Sequence, residues 1–290
     1  MPACPATHIM IDPTPVRIRA FQRKILRFYE RHGRHLLFRL TDNPYKITVA
    51  EIMLQQTQVD RVLPFYQHWI KKWPNWEALA RASDRELLAM WSGLGYNRRA
   101  RYLGRLARIV ISDYNGKLPD DPGVLIKLPG IGPYTSRAIP ILAFDRPLAA
   151  VDTNVRRVLI HEFGLPGTIT NRELEGFALQ LVPPRRARDW LNALMDYSRL
   201  ALPRRMPHIS PASRPSRFAG SRRQIRGEII RRLTARSRTT VAAVARHLDL
   251  PAEDVRAAVR SLESEGFVVC TGQTVCPHRE HCAPRLKKRV

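Results

Sequence analysis

The sequence predicts an all-α fold that is followed by a small C-terminal module of winged-helix type. Two observations predict the helices: apolar residues recur at the spacing of one helix face through most of the chain, and strand-like alternation is scarce before the C-terminus. A third observation separates the module, because residues 203–220 are rich in Pro, Ser and Arg and poor in apolar residues. The length of 290 residues suits about two domains with hydrophobic cores of their own.

The first helix is expected over Pro15–Arg31, where Phe21 and Ile25 share an apolar face. Ser83 and Glu86 form a capping-box pattern, which marks the start of a later helix. Segment 121–144 is expected to form a helix, the turn Leu128-Pro129-Gly130-Ile131-Gly132, and a second helix. Six further helices are expected at Tyr45–Gln58, Val59–Lys72, Asn75–Ala82, Asn97–Tyr114, Asn154–Phe163 and Asn171–Arg199.

The C-terminal module is expected to contain three helices and a strand. The helices are centred on Ile225–Leu233, Thr240–Leu248 and Pro251–Glu263, and the strand begins at Phe267. This order matches a winged helix, in which the third helix reads DNA. The alternative is a small helical module that packs on the first domain or on a partner. The expected divisions are an N-terminal tail (1–14), a helical domain (15–202), a linker (203–221), a winged-helix-like DNA-binding domain (222–270) and a basic Cys/His tail (271–290).

The charge favours nucleic acid as the partner. The chain has 49 Lys and Arg against 25 Asp and Glu, a net charge of +24, which attracts polyanions. Eleven Arg lie between Leu200 and Thr240 with a single acid, Glu228, so the excess is a local cluster. A generally basic proteome or an anionic lipid surface would be the other explanation. No apolar stretch approaches the roughly 18 residues of a membrane span, and the N-terminus lacks a secretory pattern, so a cytoplasmic protein with reduced thiols is expected.

Two short motifs carry possible chemistry. The LPGIG turn between two helices is a helix-hairpin-helix pattern, in which Gly130 and Gly132 permit positive φ and leave N–H groups free for a phosphate. A tight helical corner without a ligand would look the same. Asp152 stands at the start of a new helix, where an Asp is often only an N-cap. The capping and catalytic interpretations therefore both stay open on this motif alone.

Four motifs in order resemble the helix-hairpin-helix (HhH-GPD) DNA glycosylase superfamily, and within it the MutY-like adenine glycosylases. They are Glu51–Val59 (EIMLQQTQV), Leu94–Tyr96 (LGY), Leu128–Thr135 (LPGIGPYT) and Val151–Val155 (VDTNV). The resemblance covers roughly Pro15–Leu200. It implies a two-lobed helical enzyme of base excision repair that acts as a monomer on double-stranded DNA with mispaired or damaged bases.

The resemblance implies a role for each catalytic candidate. Glu51 would protonate the departing adenine, and its burial on an apolar helix would raise its pKa towards that of a general acid. Asp152 would stabilise positive charge at the sugar, and Asn154 would support the sugar and the water. Tyr134 stands where strand-cleaving relatives carry a Lys. Without that amine no Schiff base forms, which implies a monofunctional glycosylase.

Further positions would contact DNA. Gln55, Gln56, Leu94 and Tyr96 match family positions that fill the stack at the lesion, although ordinary helix packing is an alternative, above all for Leu94. Gly130 and Gly132 belong to the hairpin. Arg222, Arg223 and Arg226 begin the C-terminal module, and the Arg cluster around them would bind phosphate unless it is a solvated linker.

The chain departs from the family in its cysteines and at its C-terminus. Most relatives hold a [4Fe–4S] cluster with four Cys spaced C-x6-C-x2-C-x5-C, but residues 195–216 contain no Cys, and Leu202 stands where the first ligand is expected. No cofactor is therefore expected, as in the clusterless branch. The last 21 residues hold weak metal candidates, for which an incidental tail is the favoured explanation: Cys270, Cys276, His278, His281 and Cys282.

Typical MutY-like relatives read the base opposite the adenine with a Nudix-like C-terminal domain. Nothing of that size or β-rich pattern is recognised after residue 200, so recognition of the opposite base stays open. The expected reaction is removal of adenine mispaired with 8-oxoguanine or guanine. A thymine or uracil glycosylase acting on G mispairs is the nearest alternative, because it would share Glu51, Asp152 and Tyr134. A DNA-binding protein without catalysis is the alternative of another class.

Overall fold

The computed structural model describes residues 13–203, 206 and 220–278, and helices dominate these residues, as expected. The helices are α1 (Pro15–His32), α2 (Pro44–Leu54), α3 (Val59–Lys72), α4 (Trp76–Ala80), α5 (Asp84–Trp91), α6 (Arg98–Tyr114), α7 (Pro122–Leu125), α8 (Pro133–Phe144), α9 (Thr153–Phe163), α10 (Asn171–Gln180), α11 (Ala187–Leu200), α12 (Arg222–Arg236), α13 (Val241–Leu248) and α14 (Ala252–Ser264). The strands are β1 (Thr239–Thr240), β2 (Val268–Thr271) and β3 (Thr274–Pro277).

The three strands form one antiparallel sheet in the order β1-β3-β2. Val268 pairs with Pro277, and Thr271 pairs with Thr274, so β2 and β3 make a tight hairpin. The C-terminal elements therefore follow the order helix, strand, helix, helix, hairpin. The sequence analysis anticipated the helices and the start of β2. Assignment of the module as a winged helix stays a prediction.

Local capping explains several helix boundaries. Thr14 caps α1 with its side chain, and Pro15 occupies the first turn, where its missing N–H costs nothing. The expected capping box of Ser83 and Glu86 is present at the start of α5. Both α1 and α3 lie within one residue of the expected bounds at each end.

Two helix predictions were wrong at their ends. Helix α2 stops at Leu54 rather than Gln58, since Gln56 adopts a left-handed backbone (φ 55°) and Gln58 is extended as the N-cap of α3. The single helix expected over Asn171–Arg199 is broken between α10 and α11. Pro183 and Pro184 fall in the gap, where each lacks the N–H that a continuous helix needs.

The chain folds as two compact units. Unit 1 comprises the described residues of Met1–Ile47, Asp120–Ile126 and Gly132–Ser213. In it α11 packs against α1, α8 and α9, and Phe21 makes edge-to-face contacts with Phe163 (4.9 Å) and Trp190 (5.4 Å). Asp196 is fully buried and accepts bonds from the guanidinium groups of Arg34 (2.7 Å) and Arg39 (2.7 Å), so its charge is compensated.

Unit 2 comprises the described residues of Thr48–Pro119, Lys127–Ile131 and Arg214–Val290. Its core is centred on Trp69, which stacks edge-on with Trp73 (4.6 Å) and Trp91 (5.4 Å). Helix α12 packs against both α5 and α14, so the C-terminal module shares this unit with α3–α6. Across the described segments of both units, no helix combines the length and apolarity that crossing a membrane requires.

Candidate functional site

Asp152 is the N-cap of α9, and both carboxylate oxygens are engaged. Its Oδ1 accepts the backbone N–H groups of Asn154 and Val155, each at 2.8 Å, and its Oδ2 accepts Nδ2 of Asn154 at 2.7 Å. Burial raises the pKa of Asp152 above its usual range, while these three bonds oppose the shift. The capping function is thus real, and it holds the carboxylate in one orientation.

A chain of polar side chains extends from Asp152 into unit 1. Ser198 Oγ lies 3.5 Å from Asn154 Oδ1, to which it donates, and Arg157 Nη1 donates to Ser198 Oγ at 3.2 Å. Ser198 is buried. The sequence analysis missed Arg157 and Ser198. Arg157 lies four residues after Thr153, the first residue of α9, and therefore on the same helix face one turn further on. This spacing was the one signal for Arg157 in the sequence.

Tyr134 and Gly132 lie at the start of α8. Tyr134 is half-buried against the core of unit 1. Gly132 is the N-cap, with φ −97° and ψ −178°, so it does not use the positive φ that glycine permits. A Cβ at Gly132 would meet nothing within 4 Å. The helix N-terminus is therefore open to an approaching group.

Glu51 lies in α2 within unit 2 and is 8% exposed, as its apolar surroundings led us to expect. Unit 2 also contains Gln55, Gln56, Leu94, Tyr96 and Gly130, together with the α12 arginines. Asp152, Asn154, Tyr134 and Gly132 belong to unit 1. The structure thus groups the catalytic candidates into Glu51 on one unit and the others on the second.

A cleft of about 660 Å³ in unit 2 brings together most of the DNA-binding candidates. Its lining includes Gln55, Gln56, Leu94, Tyr96, Arg223 and Arg226. Tyr96 is 42% exposed, whereas Leu94 is 4% exposed, in keeping with the packing alternative for Leu94. Arg222 is exposed in the first turn of α12 and is not part of the lining.

The backbone around this cleft is unusual. Gln56 (φ 55°) and Tyr96 (φ 50°) are non-glycine residues in the left-handed region, which concentrates at functional sites. Gln55 Nε2 donates to the carbonyl of Gly130 at 3.0 Å and so ties the end of α2 to the hairpin. Gly130 has φ 82°, and a Cβ there would lie 2.9 Å from Cβ of Tyr102. Only glycine fits that position.

Arg99 is a further residue of the site that was not predicted from the sequence. Its Nη1 donates to the carbonyls of Ile52 (3.0 Å), Met53 (2.8 Å) and Gln55 (2.7 Å). Its Nη2 donates to Thr57 Oγ1 and to the carbonyl of Gly95, both at 3.0 Å. The side chain caps the C-terminus of α2 and joins it to the LGY loop.

The charge of Arg99 is held in a buried setting. Arg99 is 5% exposed, and its guanidinium carbon lies 5.1 Å from the ring centre of Trp91 and 5.4 Å from that of Tyr96. Burial lowers its pKa to about 10, which leaves the group protonated at neutral pH. Residues 94–101 read LGYNRRAR, and nothing in that run distinguishes Arg99 from its arginine neighbours.

The weak metal candidates are not gathered in the described part of the chain. Cys270 pairs with Val275 and Cys276 pairs with Val269, so the two thiols project from opposite faces of the hairpin. Within residues 13–203, 206 and 220–278 no group of three His, Cys, Asp or Glu could hold a metal ion. Cys282 and His281 lie outside the described residues.

Comparisons with known proteins relate this chain to DNA repair proteins. Residues 49–184 match the model of the HhH-GPD superfamily of base excision DNA repair proteins. The chain is 35% identical over 228 residues to the adenine DNA glycosylase of Mycolicibacterium smegmatis, covering 71% of this chain and 78% of that protein. It is 33% identical over 248 residues to the adenine DNA glycosylase of Mycobacterium tuberculosis, covering 77% and 82%.

Solved structures show the same fold. A thermostable thymine-DNA glycosylase matches with a TM-score of 0.61 and 32% identity, covering 67% of this chain and 91% of that one. An endonuclease III in a non-covalent DNA complex matches with a TM-score of 0.57 and 23% identity, covering 65% and 87%. At 23% identity, the likeness to endonuclease III concerns the fold alone.

Proposed function

Because this chain belongs to the HhH-GPD superfamily of base excision DNA repair proteins, we propose that it is a monofunctional DNA glycosylase that removes adenine mispaired with 8-oxoguanine or guanine. The observation that carries the proposal is the likeness to relatives named adenine DNA glycosylase over more than three quarters of their length. DNA is the partner to which the charge of +24 is suited.

Glu51 is the proposed general acid. Cleavage of an N-glycosidic bond needs a proton on the departing base, and a carboxyl group that is shielded from water is suited to donate it. Glu51 is buried on α2, one turn before the cleft residue Gln55. The proton passes from the Glu51 carboxyl to a ring nitrogen of adenine as the bond to the sugar breaks.

Asp152 is the proposed stabiliser of the sugar cation. Departure of the base leaves an oxocarbenium-like sugar, which a nearby carboxylate stabilises by charge. The three bonds that Asp152 accepts hold it in one orientation, so it need not reorganise during the reaction. Water then adds to the sugar carbon and loses a proton, which leaves an abasic site.

Tyr134 supports the monofunctional assignment. A strand-cleaving glycosylase needs an amine that forms a Schiff base with the opened sugar, and a phenol cannot form one. Tyr134 occupies the first turn of α8, directly after the hairpin. We therefore expect intact strands after base release, until alkali or heat cleaves the abasic site.

The iron–sulfur cluster of the family does not fit the residues present. No Cys occurs in residues 195–216, and Leu202 is buried in the apolar core of unit 1. Arg157 Nη2 donates to the carbonyl of Pro203 at 2.5 Å, which fastens the chain just after α11 by a hydrogen bond. No step of the proposed reaction depends on a cluster.

Thymine release from G mispairs is the second candidate function. It is favoured by the 32% identity to a thymine-DNA glycosylase whose structure this chain covers almost completely. That reaction would use the same acid and the same charge stabiliser. The two candidates differ in the base that is released and in the mispair that is recognised.

The proposal is tested by single-turnover release of adenine from a duplex with one A:8-oxoguanine pair. The wild-type protein should give abasic product, and Glu51→Gln should slow the reaction by roughly 10²- to 10⁴-fold, the usual contribution of general acid catalysis. Equal rates for the two proteins would refute Glu51 as the acid. Strand breaks before alkali treatment would refute the monofunctional assignment.

A further inference from the structure

The cleft in unit 2 has a wall that the motifs of the glycosylase family do not supply. Its lining joins the loops of Gln56 and Tyr96 to Arg223, Arg226 and Gly227 of α12. Resting on the proposed function, we propose that α12 binds the DNA strand opposite the excised nucleotide in this cleft. The C-terminal module then takes part in contacts at the mispair itself.

The charge of the cleft fits a phosphodiester backbone. Among the described residues, five arginines line it (Arg61, Arg98, Arg99, Arg223 and Arg226), and one carboxylate does, that of Glu265. Arg99 is buried and donates to the carbonyls of α2, and the other four arginines give the cleft its excess of positive charge. Guanidinium groups bind phosphate oxygens in bidentate fashion, and each phosphate neutralised releases counterions. The polar side chains of Gln56 and Asn97 stand in the same lining, which gives hydrogen-bonding groups for a base beside the charges for a backbone.

Contacts within unit 2 hold α12 at the cleft. Arg226 forms a two-point ion pair with Glu265 (2.7 and 2.9 Å), and Arg98 of α6 approaches the same carboxylate at 3.4 Å. Arg101 Nη1 donates to the carbonyl of Glu265 at 2.9 Å. Helices α6 and α12 therefore share one acidic residue at the cleft, which sets their arginines side by side.

Gly227 is the observation that points to close approach. It lies inside α12, where glycine is less favourable than alanine by about 1 kcal/mol, and it lines the cleft. A Cβ added there would meet nothing within 4 Å, so packing inside the protein does not require glycine. The bare backbone at Gly227, next to Arg226 and one turn after Arg223, leaves room for a ligand to lie against the helix.

The distribution of charge favours α12 over α14 as the surface that meets DNA. Helix α12 contains six arginines (Arg222, Arg223, Arg226, Arg231, Arg232 and Arg236) and one acid, Glu228. The first turn of α14, the third helix of the module, carries Glu253 and Asp254. Negative groups at that end would repel phosphate.

The contents of the cleft indicate which strand it binds. Glu51, to which the extruded base must come, is absent from the described lining. The cleft is therefore not the pocket for the extruded base, and we assign it to the nucleotides that stay in the duplex. Extrusion leaves the partner base with an unpaired hydrogen-bonding edge, and the polar side chains of Gln56 and Tyr96 offer bonds to it.

The first test fills the space above Gly227. Gly227→Leu should weaken binding to a duplex with one A:8-oxoguanine pair by at least about tenfold, measured by fluorescence anisotropy in the Glu51→Gln background. Gly176→Leu is the matched control, because Gly176 also lies inside a helix, α10, with nothing within 4 Å of its Cβ position. Both changes favour helix, so neither should unfold the protein. Unchanged affinity for Gly227→Leu would overturn the proposal.

The second test identifies the strand. Arg223→Ala should weaken binding about five- to tenfold and reduce the salt slope by about 0.9. Arg105→Ala, at an exposed arginine of α6 outside the cleft, should change affinity less than about threefold. Single methylphosphonate linkages remove one phosphate charge at a time. A neutral linkage in the strand opposite the adenine should abolish the effect of Arg223→Ala.

The outcomes separate the inference from the proposed function. The inference would be overturned if only neutral linkages in the adenine strand abolished the effect of Arg223→Ala. Equal effects of Arg105→Ala and Arg223→Ala would also overturn it. If the wild-type protein releases base while Gly227→Leu binds normally, the inference alone fails. If the wild-type protein releases no base from any duplex, the proposed function fails, and the binding comparisons still decide the role of α12.

Discussion

Replacement of Arg99 by Met tests how the end of α2 is held. Met retains much of the side-chain volume but removes both Nη atoms, which together donate to five oxygens. Three of these oxygens are carbonyls at or just after the C-terminus of α2, which a helix cannot satisfy by itself. The substitution therefore leaves buried acceptors without their donors.

The magnitude follows from these contacts. One hydrogen bond to a charged group contributes about 1.5–3 kcal/mol. The five losses do not add, because all five bonds are made by one side chain. Part of the loss is offset, because Arg99 is buried without a carboxylate among its bonded partners, and burial of its charge is itself unfavourable. We expect Arg99→Met to lower the free energy of unfolding by about 3 kcal/mol.

The assay is chemical denaturation at pH 7, followed by single-turnover excision at a temperature where the variant is folded. Arg105→Met is the control, since Arg105 is exposed on the same helix, and it should change the free energy of unfolding by less than about 0.5 kcal/mol. Because Arg99 also positions Gly95, excision should fall at least tenfold. Equal stability and equal excision for Arg99→Met and Arg105→Met would refute this reasoning.

Three further outcomes are expected. Burial raises the pKa of Asp152, so its stabilising contribution is lost as the pH rises through that pKa. Asp152→Asn keeps the oxygen that caps α9 but loses the bond from Nδ2 of Asn154, which offsets the gain from removing a buried charge; at pH 7 its unfolding midpoint should stay close to that of the wild type while excision falls roughly 10²-fold. Asp152→Ala should cost about 1 kcal/mol of stability. Burial opposes ionisation of Asp196, but the bonds from Arg39 and Arg34 hold its pKa below the usual range. Asp196→Asn should therefore lower the free energy of unfolding by about 3 kcal/mol at pH 7. In denaturation curves the difference in stability between the wild type and this variant should shrink below about pH 4, where the carboxylate becomes protonated. Ser198→Ala should lower the excision rate severalfold without changing DNA affinity in anisotropy titrations, because Ser198 reaches Asp152 only through Asn154.

Local signals predicted most helices because the forces that set them are local. The capping box of α5 uses side chains three residues apart, so it could be predicted from the sequence. The end of α2 was missed because Gln55 to Gln58 favour helix on their own. Arg99, which donates to the carbonyls at the end of α2, is more than 40 residues away in the chain.

The same contrast between local and long-range contacts applies to the candidate site. Motif positions such as Glu51 and Asp152 could be placed by pattern, and the structure shows one buried and the other oriented by its helix. The cleft could not be foreseen, since it joins Tyr96 to Arg226 across 130 residues of sequence. The pattern LPGIG likewise does not reveal which of its glycines adopts positive φ; in the structure it is Gly130 and not Gly132.

The most direct test of the central claim compares base release by the wild-type protein from matched duplexes with A:8-oxoguanine, A:G, T:G, U:G and fully paired controls. Single-turnover rates and chromatographic identification of the free base give the answer for each duplex. The account predicts release of adenine from A:8-oxoguanine or A:G at least about 100-fold faster than release of thymine or uracil. Faster release of thymine or uracil would contradict it and assign the protein to the G-mispair glycosylases instead.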